Sequence, residues 1–120
     1  MKVAINRCHG GFCLSDEAFE MLLALKGIEF DRSSKYNTIG NEYDYWRKGR
    51  TNDQKGYISK YDFYQNRDDP ELIRTIETLG SRANGPYSKI VVAEVTEGVS
   101  WHIQEHDGLE WVAEDHRTWC

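Results

Sequence analysis

Apolar and polar positions alternate at the start of the chain. "KVAIN" (residues 2–6) is rich in β-formers and predicts a strand near 2–7. The period then lengthens. Ser15, followed by Asp16 and Glu17, has the form of an N-cap with an acidic first turn. Phe19, Met21, Leu22, Leu23 and Leu25 make a helical stripe that Gly27 ends at the C′ position, so a helix is predicted near 15–26. "IEF" then reads as a short second strand. Asp69-Pro70 opens a second helix near 70–79, with Leu72, Ile73, Ile76 and Leu79 on its apolar face and Gly80 behind it. "KIVVAEV" is the clearest strand, apolar enough to be central over 88–95. Across a Glu97-Gly98 turn, 99–105 is its expected antiparallel partner. Asp107-Gly108 marks another hairpin. A two-residue turn there would set Glu105 opposite Glu110, a like-charge pair, so a longer or bulged connection is expected. Together these elements predict a small α+β domain over 1–120: an antiparallel sheet with two helices packed on it.

The periodicity fails over about 32–64. This stretch is polar, yet it carries Tyr36, Tyr43, Tyr45, Trp46, Tyr57, Tyr61, Phe63 and Tyr64. Plain disorder is aromatic-poor, so the segment is either a set of short strands or an aromatic-rich insertion or flap. Only 39% of the residues are hydrophobic while 12% are aromatic, which points to a core built on rings or completed against a second copy; a homo-oligomer is expected. The net charge of −5 disfavours duplex DNA, which needs a basic surface, but leaves a small anionic ligand open. No apolar run approaches the roughly 18 residues of a membrane span. No charged-then-apolar leader opens the chain, so a cytoplasmic protein without membrane partners is expected.

The three cysteines are Cys8, Cys13 and Cys120. An odd number without a leader argues against a disulfide framework. C-H-x3-C is not the spacing of a structural zinc site, and a lone cysteine near a helix start is more often a small hydrophobe than a nucleophile. No metal, no cofactor and no catalytic cysteine are expected.

"RCHGGF" stands between the first strand and the first helix. Two readings stay open. The glycines can let backbone N–H groups converge on a phosphate, with Arg7 supplying charge and His9 a hydrogen bond, or they can form a tight turn that docks Phe12 in the core. "SRANGPY" puts Arg82 and Asn84 in a turn before the central strand, where loops build sites. His116, Arg117 and Trp119 lie within the last five residues; an arginine beside a tryptophan suits a stacked base with its phosphate, or the segment is a structural latch.

"INRCHGGF" with "LSDEAFE", "RDDPELI" with "LG" and "ANG", and "DGLEWVAE" with "HRTW" resemble a family of small proteins of tailed bacteriophages and prophages. The resemblance spans most of the chain outside the 32–60 stretch, whose length varies among such proteins. Where members carry glycine after the phenylalanine, this chain has Cys13. The resemblance implies a phage origin, and proteins of this kind and size often counter host defence. The expected function is sequestration, without turnover, of a small nucleotide-like signalling molecule of the cyclic ADP-ribose or cyclic oligonucleotide type. The expected pocket comprises Arg7, His9, Gly10, Gly11, Arg82, Asn84, Arg117 and Trp119, with arginines on phosphate, Asn84 on a base edge or ribose, and Trp119 stacking. The alternatives are an enzyme cleaving such a nucleotide, with His9 or His116 as acid–base, and a protein-binding inhibitor of a host factor that uses the tyrosine-rich segment.

Overall fold

A computed structural model describes residues 1–34 and 43–115. The protein is α+β, with antiparallel sheets and helices. At its centre, β1 (Lys2–Asn6) pairs antiparallel with β5 (Ile90–Glu94), Val3 opposite Ala93 and Ile5 opposite Val91. One face of this pair, through Ala4, Ile90 and Val92, meets α1 (Asp16–Leu25) and α3 (Pro70–Leu79) at Leu22, Leu72, Ile73 and Ile76. The other face, Val3, Ile5, Val91 and Ala93, lies under Trp101, Ile103 and Val112 of a hairpin made by β6 (Ser100–His106) and β7 (Leu109–Asp115). Because β1 is covered on both sides, Val3, Ala4 and Ile5 are all buried.

The two main helices begin and end as their sequences predict. Ser15 accepts from Ala18 N at 3.1 Å. Gly27, at φ +72°, carries a reversal in which Gly27 N donates to Ala24 O and Ile28 N to Leu23 O. Ile28 is thereby taken up by the helix end and packs beside Leu23, so the second strand, β2, runs Phe30–Ser34 rather than over 28–30. At α3, Asp69 accepts from Glu71 N at 3.2 Å and pairs with Lys26 Nζ at 2.6 Å. Burial disfavours the Asp69 carboxylate, but Lys26 and the Glu71 N–H outweigh it and hold its pKa below the usual carboxylate range. A depressed pKa gives stability that is present above the usual range and is lost as pH falls through the folded value. Asp69→Asn keeps a cap acceptor but not the charge. It is expected to lower the melting temperature at pH 7, with the gap to wild type closing below about pH 4. Melting curves of both proteins from pH 7 to 3 check this; a gap that does not change with pH would remove the ion pair from the account.

Three points differ from the expectations or, for the 32–64 stretch, narrow readings left open. First, 88–95 and 99–105 do not share a sheet: β5 pairs with β1, β6 pairs with β7, and β2 pairs with β3 (Tyr43–Arg47) and through it β4 (Tyr57–Ile58). The turn closed by Val99 N on Thr96 O sends the chain over the face of the central pair, where Trp101 and Ile103 become half-buried, instead of along its edge. Second, the 32–64 stretch contains a three-stranded meander and a short helix, α2 (Lys60–Phe63), whose Tyr45, Ile58 and Phe63 close a second core around Phe19 and Leu23. Third, the β6–β7 connection is a tight two-residue turn with Glu105 opposite Glu110. Asp107 and Gly108 have φ of +49° and +86°, as a type I′ turn requires. The like-charge cost is removed because the carboxylates part. Glu105 accepts from Gly108 N, while Glu110 turns inward to Arg67 and to Asn6 N.

Candidate functional site

The loop 7–14 is fastened from both ends. Asn6 is fully buried: its Nδ2 donates to Cys8 O and Gly108 O, and its Oδ1 accepts from Lys89 N. Glu110 accepts from Asn6 N at 2.8 Å and takes both terminal nitrogens of Arg67 at 2.6 and 2.9 Å. The Arg67 guanidinium lies over the Phe12 ring at 3.7 Å, and Phe12 meets Tyr64 edge-on at 4.9 Å. Phe12 thus docks against the core, as the turn reading of "RCHGGF" predicts.

The glycines have distinct tasks. A Cβ on Gly10 would lie 1.8 Å from the Tyr87 carbonyl oxygen, so the close approach that Gly10 permits is taken by the chain's own backbone. Gly11 has open space around a Cβ but sits at φ +88°. Facing Gly10, the segment Gly85–Ser88 is closed by Ser88 N on Gly85 O. Proline fixes its first central residue and Tyr87 takes the second at φ +60°, the signature of a type II turn.

Two clefts open beside this loop and share Gly11, Phe12, Tyr61 and Tyr64. One, of about 400 Å³, runs toward Arg67, Glu105 and Glu110. The other, of about 600 Å³, is lined by Gly10, Gly11 and by Tyr43, Tyr57, Tyr61 and Tyr87, with Asp44 and Lys60 among its charged residues. Tyr57, Tyr61 and Tyr87 are the exposed large hydrophobics among the described residues, at 49%, 74% and 83%.

Charge around the larger cleft is mostly spent inside the protein. Lys60 Nζ lies 3.1 Å from Asp16 Oδ1. The Tyr45 hydroxyl sits between Asp16 Oδ1 at 3.1 Å and Glu20 Oε2 at 3.0 Å, and Arg32 reaches Glu20 at 2.9 Å. Burial first, and these carboxylates second, push the Tyr45 pKa far up. Tyr45 therefore keeps its proton and cannot serve as a base. Burial also raises the Tyr64 pKa, against the opposing Leu14 N–H that its oxygen accepts.

Of the expected pocket, Gly10 and Gly11 do line the larger cleft. Arg7 and His9 line neither cleft; Arg7 is exposed, and His9 Nδ1 contacts Asp107 O at 3.3 Å. Arg82 Nε donates to Glu17 at 2.8 Å, and Asn84 Oδ1 accepts from Ile90 N at 2.7 Å, which shapes the turn into β5; neither residue is among those lining the two clefts. Arg117 and Trp119, with His116 and Cys120, lie outside the described residues. Sequence reading missed Tyr87 as a site residue. Its signal was the pair Pro86-Tyr87, a bulky side chain where this turn normally wants glycine. Among the described residues no group of three His, Cys, Asp or Glu side chains is placed to hold a metal ion, and no helix is long and apolar enough to cross a membrane. No protein-family model, curated protein or solved structure matches the chain.

Proposed function

We propose that this protein is a non-catalytic binding protein that takes a small, flat, nucleotide-like molecule into the tyrosine-lined cleft and sequesters it. The setting is the phage counter-defence role that the sequence resemblance implies. One observation carries the reading: three exposed tyrosines line the same cleft of about 600 Å³ as Gly10 and Gly11. That volume lies within the range of about 300–1,000 Å³ for small-molecule sites. Tyrosine faces hold planar rings by stacking, and Gly11, with open space where a Cβ would stand, lets a ligand approach the backbone.

Thermal-shift titration with cyclic dinucleotides, cyclic ADP-ribose and ADP-ribose tests this. A ligand at 100 times its Kd adds about 2.7 kcal/mol, a rise of about 10 °C for a chain of this size. Heating the complex must then release the ligand intact; release of a product would instead make the protein an enzyme. The exposure of Tyr57, Tyr61 and Tyr87 also favours a second reading, a protein-binding inhibitor, because exposed tyrosines are typical interface anchors. A flat response to every nucleotide, with stoichiometric capture of one host protein, would select it.

A further inference from the structure

Tyr87 is the most exposed large hydrophobic residue described, and it stands where its backbone is least comfortable. The turn that holds it is braced on several sides. Gly85 N and Ser88 Oγ both donate to Cys13 O, at 2.8 and 2.7 Å. Gly85 has no room for a Cβ against Cys13, and Gly10 has none against Tyr87 itself. This bracing holds the second central residue at φ +60°, a conformation that a bulky side chain adopts only at a cost in stability. Among the described residues neither the ring nor the hydroxyl of Tyr87 has a stacking or hydrogen-bond partner, and with the residue 83% exposed the described fold gains little from the ring in return. Glycine would relieve the backbone and lose little packing. A side chain kept at a net cost to the fold, at the rim of a cleft, is explained by what enters the cleft.

Charge adds a second constraint on that ligand. Lys60 is held by Asp16 and Arg67 by Glu110, while Asp44 lines the larger cleft with no ion pair among the described residues. A phosphate would therefore find no uncommitted cation among the described residues lining either cleft. We infer that Tyr87 is the stacking platform of the cleft and that the site recognises the planar ring of its ligand, with phosphate contributing little; this rests on the sequestration reading above. Stacking on a tyrosine face needs no counter-charge, and the half-buried carboxylate of Asp44 in the cleft lining favours rings that present N–H donors.

The test uses adenosine, guanosine and their 5′-monophosphates as probes, measured by calorimetric titration against wild type, Tyr87→Gly and Tyr87→Phe, with the melting temperature of each protein without ligand. Tyr87→Gly is expected to melt higher than wild type and to bind its best nucleoside at least tenfold more weakly. Tyr87→Phe keeps the ring and is expected to stay within about threefold of wild type. Each monophosphate is expected to bind within about threefold of its nucleoside. The inference is overturned if Tyr87→Gly melts lower, if it binds the nucleosides as wild type does, or if a monophosphate binds more than tenfold tighter than its nucleoside. If wild type binds none of the four probes yet responds to a cyclic dinucleotide, cyclic ADP-ribose or ADP-ribose in the thermal-shift titration, this inference is overturned and the sequestration reading stands; if it responds to neither set, the sequestration reading fails and the stacking role falls with it.

Discussion

Replacing Glu110 by alanine is expected to destabilise the protein by about 3–5 kcal/mol, the usual cost of removing one partner from a buried ion pair. The carboxylate and the Arg67 guanidinium are only 9% and 13% exposed, and they meet at two short hydrogen bonds. Glu110 also accepts the Asn6 N–H, the point where β1 runs into the glycine loop. Truncation leaves the Asn6 N–H without its acceptor and a largely buried guanidinium without its counter-charge, holding only the Tyr64 and Ala4 carbonyls. The melting temperature should fall by about 10–20 °C for a chain of this length. Glu110→Gln keeps an acceptor for Asn6 and loses only the charge, so it should cost less, about 1–3 kcal/mol. The Arg67→Ala, Glu110→Ala double variant should cost clearly less than the two single losses added together, because neither charge is then stranded. Denaturant midpoints of the four proteins measure this. A loss below about 1 kcal/mol in Glu110→Ala would mean that Trp101, Ile103 and Val112 alone hold the hairpin on the central strands.

Gly10→Val is expected to be the most damaging single change in the glycine loop, costing about 3 kcal/mol or more. The first added carbon would lie 1.8 Å from the Tyr87 carbonyl oxygen and 2.4 Å from its Cβ, and a braced turn of backbone cannot move aside cheaply. Gly11→Ala meets no atom within 4 Å and only has to hold φ +88°, so it should cost about 1 kcal/mol. The contrast decides what the first glycine is for. If Gly10 served a ligand's close approach, valine would abolish binding and leave the melting temperature of the free protein unchanged. If it serves the Tyr87 turn, the melting temperature falls first, and binding falls with it because the tyrosine loses its support. Equal, small effects of Gly10→Val and Gly11→Ala on the melting curve would remove the contact between loop and turn from the description of the site.

The local elements were readable because their instructions are local. Ser15, Gly27 and the Asp69-Pro70 pair act within one helical turn of where they stand, and the stripes between them have a helical period, so α1 and α3 lie where the pattern puts them. "KVAIN" and "IVVAE" are strands for the same reason. The candidate site was legible only in part. The two glycines and the tyrosine-rich stretch announced themselves by composition, but Arg82 and Asn84 were drawn in by position alone, and Glu17 and Ile90 turn out to be their partners.

What no local window carries is which distant group answers which. Glu105 and Glu110 face each other across a tight turn because Arg67, 43 residues from Glu110, takes one of the two carboxylates inward. The hairpin covers β1 and β5 instead of extending their sheet, and Trp101, Ile103 and Val112 of its two strands bury apolar surface on that face. Gly10 must be glycine because of Tyr87, and Tyr87 is held in a left-handed conformation by a turn that Cys13 braces from the other end of the loop. Propensity and capping act over a few residues and are written in order along the chain. Steric exclusion, charge pairing and face burial act between residues that only the folded chain brings together, and it is these that built the cleft.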